Sequence, residues 1–174
     1  MSYAIPKDLP LVSATWEDWP LPERIRATLY RIDAPVWAKL SAVAIAMIEQ
    51  PGKVPCGNCC GIMAQGNGEF PWGWKADTWK IRPIGYVLLN EGQGIKGAPF
   101  LAFARVDDSL SFLIDRCYGR KIRTGDEYAS EWVGMDATNI RFEPTVKAYE
   151  AVYDRVIDGL WKMLSNYGER GTYD

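Results

Sequence analysis

Residues 35–49 read PVWAKLSAVAIAMIE, and this stretch predicts the central helix of the protein. Pro35 suits the first turn of a helix, and Pro51-Gly52 ends it. Apolar side chains cover almost the whole helix surface, which is typical of a helix surrounded by a core. The length of 174 residues suits a single domain over residues 1–174. Residues 1–20, rich in Pro and Trp, are expected to form an extended arm over that domain or a partner contact.

Segments on either side of this helix predict further elements. Apolar runs between Trp79 and Phe103, broken at Asn90–Gly94, indicate a β-hairpin. Residues 51–65 and the segment around Trp72 are expected to be loops. Helical patterns occur at Leu21–Ile32, at Leu110–Cys117 after an Asp108-Ser109 start, near Asp126, and from Pro144 to about Tyr167-Gly168. The predicted fold class is therefore α+β, mainly α, with a small β-hairpin lobe.

Composition excludes several kinds of chemistry. The chain has no histidine, which removes Ser-His and Cys-His nucleophilic pairs and His-ligated zinc hydrolases. Its 20 Lys and Arg against 22 Asp and Glu give a net charge of −2, which argues against nucleic acid as a partner. Acid-base chemistry in this chain is expected to depend on carboxylates.

The sequence shows neither a signal-peptide pattern nor an apolar run of the roughly 18–20 residues that a membrane span needs. We therefore expect a protein without a signal peptide and without membrane insertion. Cys56, Cys59 and Cys60 resemble half of a zinc site, but adjacent ligands fit a tetrahedron poorly. We expect no metal and no cofactor, with small thiols packed in the core, while a disulfide to Cys117 stays open.

Glu49 is the candidate catalytic residue. It ends the apolar helix, and Ala46, Ile45 and Ala42 place it on an apolar stripe. Loss of hydration there would raise the pKa of the carboxyl, which is the property of a general acid that protonates a leaving oxygen. Alternatively, Glu49 points into solvent as the helix frays before Pro51.

Three stretches in succession resemble one enzyme family. The first is Ala44–Glu49 followed by Asn58-Cys-Cys-Gly-Ile-Met63, the second is Phe100–Phe103 followed by Asp107-Asp-Ser-Leu110, and the third is Glu127-Tyr-Ala-Ser130. Together they are similar to the lysozyme-like peptidoglycan glycosidases, above all the flagellar and autolysin type of N-acetylglucosaminidase. The soluble lytic transglycosylases are next, with Gln65 one position later than the glutamine of their Gly-Leu-Met-Gln segment.

The resemblance implies that Glu49 is the general acid of a hydrolase that cleaves the glycan strand of bacterial peptidoglycan. A second carboxylate would be Glu91 first and Glu69 second, although the 2-acetamido oxygen of the substrate can take the nucleophile's part. Further substrate-binding residues are expected to be aromatic or to belong to the family-like loop. They are Met63, Gln65, Trp72, Trp74 and Tyr128.

Two other functions stay open at this point. One is a catalytically silent lysozyme-like module that binds murein or serves as a structural piece of a larger assembly. The other is an unrelated helical interaction protein with a cysteine-based metal or redox site. A hydrolase of this kind is expected to be a monomer that reaches the cell wall or periplasm through a holin, a virion or an export machine. Holin release would indicate a bacteriophage endolysin, virion delivery would indicate a virion-associated lysin, and an export machine would indicate a bacterial effector.

Overall fold

A computed structural model of the protein describes residues 6–7, 9–20, 32–49, 52–64, 69–70, 74–75, 82–91, 95–132 and 143–166. Its helices are α1 (Val36–Glu49), α2 (Val106–Arg120), α3 (Gly125–Trp132) and α4 (Glu143–Asn166). Its strands are β1 (Trp16–Asp18), β2 (Lys53–Pro55), β3 (Glu69–Phe70), β4 (Trp74–Lys75), β5 (Gly85–Glu91) and β6 (Ile95–Ala102). The fold class is α+β and mainly α, as predicted. The predicted helix at Leu21–Ile32 lies outside the described residues, apart from its last position.

Helix α1 confirms the prediction made from residues 35–49. All nine residues from Ala38 to Ala46 are buried. Ser41, one of the polar residues in this run, donates a hydrogen bond from Oγ to the Trp37 carbonyl oxygen at 2.9 Å. Full burial of a Val, Leu or Ile side chain contributes roughly 1.5–3 kcal/mol. The apolar run of α1 is therefore a main source of stability.

The chain divides into two compact units. The first comprises Met1–Glu23 and Glu49–Phe112, and the second comprises Arg24–Ile48 and Leu113–Asp174. One domain over residues 1–174 stays a prediction. None of the helices in the described ranges is both long and apolar enough to cross a membrane.

The second unit is held together by aromatic packing. The fully buried rings of Tyr128 in α3 and Tyr153 in α4 are stacked, with 5.2 Å between their centroids. The Tyr153 hydroxyl donates to Ser41 Oγ in α1 at 2.9 Å, and burial raises the pKa of Tyr153. The predicted long C-terminal helix is confirmed as α4.

Helix α2 begins four residues earlier than predicted. Its first turn contains Asp107 and Asp108, whose negative charges are favourable at a helix N-terminus. Ser109, predicted to precede the helix, is instead inside it and buried. Its hydroxyl donates to the Val106 carbonyl oxygen at 3.0 Å, so Ser109 does not cap the helix.

The β-hairpin of the first unit is also confirmed. Strands β5 and β6 pair antiparallel from Gly85–Ala102 to Glu91–Ile95, with an irregularity between Leu89 and Glu91. The turn residues 92–94 lie outside the described residues. The arm follows this hairpin, because Leu11 bridges Tyr86 in parallel and Val12 donates its N–H to the Tyr86 carbonyl at 2.9 Å.

Four short strands lie where the sequence predicted arm or loop. In the arm, β1 pairs antiparallel with β2, which belongs to the predicted loop 51–65. Strands β3 and β4 pair antiparallel in the region around Trp72. Strands of two or three residues are too short to leave an alternating pattern, and this is why the loop predictions were wrong here.

Candidate functional site

Glu49 is the last residue of α1 and is half-buried. It follows the buried run 38–46 through the half-buried Met47 and Ile48. Glu49 therefore lies at the end of the helix, where the buried run gives way to half-buried residues, and its catalytic role stays a prediction. Glu49 belongs to the first unit, together with the loop 52–64, the hairpin and the first turns of α2.

The loop after Glu49 makes a tight turn at Cys56 and Gly57. Both have positive φ, 46° and 69°, and the Asn58 N–H donates to the Pro55 carbonyl at 2.8 Å. A Cβ atom at Gly57 would lie 2.7 Å from the Phe103 carbonyl oxygen. Only glycine permits this close approach, which is reinforced by a 2.8 Å hydrogen bond from the Phe103 N–H to the Cys56 carbonyl.

Asn58 holds the rest of the loop in shape. Its side chain is fully buried, and its Nδ2 donates to the carbonyl oxygens of Ile62 at 2.8 Å and Leu101 at 2.9 Å. Its Oδ1 accepts a hydrogen bond from the Ile62 N–H at 2.9 Å. The amide thereby closes the loop on itself and fixes it to β6.

Ser109 joins the same loop to helix α2. The Cys59 N–H donates to Ser109 Oγ at 3.0 Å, and both residues are buried. Asn58 and Cys59 belong to the first family-like stretch, while Leu101 and Ser109 belong to the second. The structure thus connects two stretches that are about 40 residues apart in sequence.

Met63 lies near the end of this loop, beside strand β6. It forms an antiparallel bridge with Phe100, flanked by hydrogen bonds from the Leu101 N–H to the Ile62 carbonyl and from the Ala64 N–H to the Pro99 carbonyl. The segment 62–64 therefore adds to the edge of β6, and the Met63 side chain is half-buried. Gln65 lies outside the described residues.

The two candidate second carboxylates lie in hairpin strands. Glu91 is the last residue of β5 and Glu69 the first residue of β3, so neither is in a turn. Trp74 begins β4, whereas Trp72 lies outside the described residues. The structure describes only the backbone at Glu69, Trp74 and Glu91, so their roles stay predictions.

Tyr128, a predicted substrate-binding residue, is 0% exposed. Its ring stacks on Tyr153 and is tilted against Tyr149, with centroids 5.6 Å apart in the second pair. Because protein covers its faces, Tyr128 has a packing role here. It has no part in the site proposed below.

All four cysteines are buried thiols that form no disulfide. Cys56 Sγ lies 3.3 Å from the Thr15 N–H and accepts a hydrogen bond from it. The side chain of Cys56 also packs with Val87 and Ala102 in a small apolar cluster. Across the described ranges, no three His, Cys, Asp or Glu side chains are grouped closely enough to hold a metal ion.

Sequence reasoning missed two features of the first unit. One is a groove of about 400 Å³, here called the arm groove, lined by Trp16, Pro55, Leu88, Leu89, Asn90 and Phe100. The other is the neighbourhood of Glu17 and Asp107, where partial burial and then the Asp107 charge raise the pKa of Glu17. Trp16 and Glu17 belong to the arm, whose sequence has no period, so no pattern indicated either feature.

Comparisons of the chain with protein-family models, curated proteins and solved structures give no match.

Proposed function

We propose that this protein is a glycosidase that cleaves the glycan strands of bacterial cell-wall peptidoglycan, with Glu49 as its general acid. The observation that carries the proposal is the position of Glu49. It is a half-buried carboxylate at the end of a buried helix, and the segment that follows is fixed by the buried amide of Asn58.

This position suits acid catalysis. Glycoside cleavage needs a carboxylic acid that protonates the leaving oxygen as an oxocarbenium-like state develops. The half-buried position of Glu49 leaves access for a substrate oxygen, which a general acid must reach within hydrogen-bond distance. The loop that follows the acid in sequence is fixed by the Asn58 hydrogen bonds, and contact with this loop would limit the motion of a bound sugar, which favours the reactive geometry.

The remaining steps of the reaction belong to the same proposal. Glu91, or else Glu69, would serve as the second carboxylate if one acts. Otherwise the 2-acetamido oxygen of the substrate would attack the anomeric carbon, so that Glu49 alone would suffice.

The hydrogen bonds between the family-like stretches also support the proposal. Asn58 contacts Leu101, and Cys59 contacts Ser109, so residues that carry the resemblance meet in one buried network. This arrangement fits a lysozyme-like enzyme in which the loop after the acid rests on the hairpin and the next helix. The enzyme would act as a monomer after delivery to the cell wall by a holin, a virion or an export machine.

Digestion of purified peptidoglycan tests the proposal. We expect mass spectrometry of the soluble products to show new reducing N-acetylglucosamine ends, reducing N-acetylmuramic acid ends or 1,6-anhydro ends, each of which identifies one type of bond cleavage. The absence of all three products would contradict the glycosidase. If the protein then cosediments with intact peptidoglycan, the result would favour a catalytically silent module that binds murein.

A further inference from the structure

We infer that the arm groove is a binding subsite for an N-acetylated sugar unit of a glycan strand. This inference rests on the proposed function, and it assigns a ligand to residues that the catalytic proposal does not use. The subsite depends on the N-terminal arm, because the arm supplies the aromatic ring of Trp16.

The groove lies between two pairs of strands. Trp16 and Pro55 are paired across β1 and β2, while the other wall comes from β5 and β6. Leu89 and Phe100 in that wall are partly buried and pack against the cluster of Cys56, Val87 and Ala102. Two of the lining residues are thus anchored on an apolar core cluster, which favours a preformed surface.

The chemistry of the lining fits a neutral ligand with both apolar and polar faces. None of the described lining residues is ionisable. Trp16 is 54% exposed, so a broad part of its surface is available to the flat apolar face of a sugar ring. The exposed Asn90 carries an amide that can donate to and accept from the acetamido group of the same sugar.

The size of the groove is also suitable. A volume of about 400 Å³ falls within the range of roughly 300–1,000 Å³ for small-ligand sites. A flat apolar protein interface would not require an amide in its lining, whereas an N-acetyl sugar uses both an aromatic ring and an amide. We therefore assign the groove to a sugar and treat a protein partner as an outcome of the test.

Strand β6 contributes a wall residue to the groove and also pairs with the loop that follows Glu49. Phe100 in the groove wall is paired with Met63, the last residue of the family-like loop stretch. Pro55, on the other wall, accepts the hydrogen bond that closes the turn at Cys56 and Gly57. A sugar bound in the groove would therefore contact the framework that positions this loop.

Calorimetric titration with a soluble β-1,4-linked tetramer of N-acetylglucosamine tests the inference. The titration uses the Glu49→Gln protein, so that the probe stays intact. We expect Trp16→Ala in this background to raise the Kd about tenfold, which corresponds to about 1.4 kcal/mol. Trp16→Tyr should restore much of the affinity, and Asn90→Ala should weaken binding in the same direction.

Two controls remove exposed apolar side chains of similar exposure elsewhere. Leu11→Ala acts on the arm outside the groove, and Tyr118→Ala acts in the second unit, where the side chain is 57% exposed. Both controls should bind the tetramer with unchanged Kd. Circular dichroism and the melting temperature of each variant separate a lost contact from a lost fold.

The outcomes distinguish the subsite from the enzyme. If wild-type protein cleaves peptidoglycan but Trp16→Ala and Asn90→Ala bind the tetramer normally, the subsite is wrong and the glycosidase stands. If nothing cleaves but binding depends on Trp16, the subsite is right and the catalytic proposal is wrong. If the folded wild-type and variant proteins all fail to bind the tetramer, the subsite proposal is overturned. If the groove instead binds a second copy of the chain, the protein should form a dimer that is lost in Trp16→Ala, and this result would also overturn the subsite.

Discussion

At the scale of single residues, the Asn58 side chain holds the loop after Glu49 in a single conformation. Its buried amide makes three hydrogen bonds to backbone groups of Ile62 and Leu101. Alanine would leave those groups buried without the amide. We expect Asn58→Ala to lower the free energy of unfolding by roughly 2–3 kcal/mol, since an unsatisfied buried polar group costs about 1–3 kcal/mol. Urea denaturation measures this change.

A matched control is Asn90→Ala, which removes an exposed asparagine from the same unit. Its effect on stability should stay within about 0.5 kcal/mol. Equal losses for both variants would contradict the special role of the Asn58 amide.

Glu17 gives a prediction on pH at the same scale. Its pKa is raised above the ordinary value of 4.5, first by partial burial and then by Asp107. The folded protein therefore binds the proton more tightly than the unfolded chain does. The Glu17 contribution favours folding below the ordinary pKa and is lost as pH rises through the folded-state pKa.

Glutamine cannot ionise, so Glu17→Gln should not lose this stability as the pH rises. The free energy of unfolding of Glu17→Gln minus that of wild type should therefore be larger at neutral pH than below pH 4.5. An NMR titration of the Glu17 carboxyl provides the direct measurement. In Asp107→Asn its pKa should move down towards the ordinary value. A Glu17 pKa at or below 4.5 in the wild type would refute this reading.

The position of a residue could be predicted from the sequence where it depends on neighbouring residues in the chain. Glu49 follows from the helical pattern before it and from Pro51 after it. Trp16 and Glu17 could not be predicted, because their surroundings come from strand β2 and helix α2, far along the chain. Asn58 lies in a stretch that carries the family resemblance, but no role was predicted for it, since one buried asparagine leaves no periodic signal.

At the scale of elements, helix α3 starts where it closely approaches α4. The Gly125 N–H donates to Asp154 Oδ1 at 2.9 Å, and a Cβ atom at Gly125 would lie 2.5 Å from the Glu150 carbonyl oxygen. Gly125→Ala must push the two helices apart. We expect a loss of about 1–3 kcal/mol in unfolding free energy, the usual effect of overpacking.

Gly119→Ala is the matched control, because an added Cβ at this position in α2 has no neighbour within 4 Å. Alanine should stabilise the helix by about 0.5–1 kcal/mol. The two variants are therefore expected to shift the thermal midpoint in opposite directions. If Gly125→Ala instead raised the thermal midpoint, this result would contradict the close contact between α3 and α4 at Gly125.

Elements whose hydrophobic pattern extends over many residues could be predicted from the sequence. Elements that are fixed by partners far along the chain could not. Helices α1 and α4 and the β5–β6 hairpin carry enough apolar positions to define their type. The start of α3 had a signal that was missed, namely Thr124 and Glu127 in a capping box. Glu127 Oε2 accepts the Thr124 N–H at 2.9 Å, and the Glu127 N–H donates to Thr124 Oγ1 at 3.3 Å.

At the scale of the whole molecule, the residues of the proposed chemistry belong to one compact unit. Glu49, the loop 52–64, the arm groove and the hairpin lie in the first unit, while the tyrosine packing around Tyr153 lies in the second. The absence of histidine, evident from composition alone, agrees with a carboxylate as the acid. Substitutions of Glu49 and of the exposed groove residues Trp16 and Asn90, all in the first unit, should therefore alter activity or binding at nearly unchanged stability.

The central claim is that Glu49 donates the proton in glycan cleavage, and its direct test is the rate of peptidoglycan solubilisation by Glu49→Gln. Glutamine keeps the size and hydrogen-bonding reach of the side chain but cannot donate an acidic proton. We predict a rate lower by at least roughly two orders of magnitude, with unchanged fold and unchanged binding to the N-acetylglucosamine tetramer. A Glu49→Gln protein that solubilises peptidoglycan at the wild-type rate would contradict the claim.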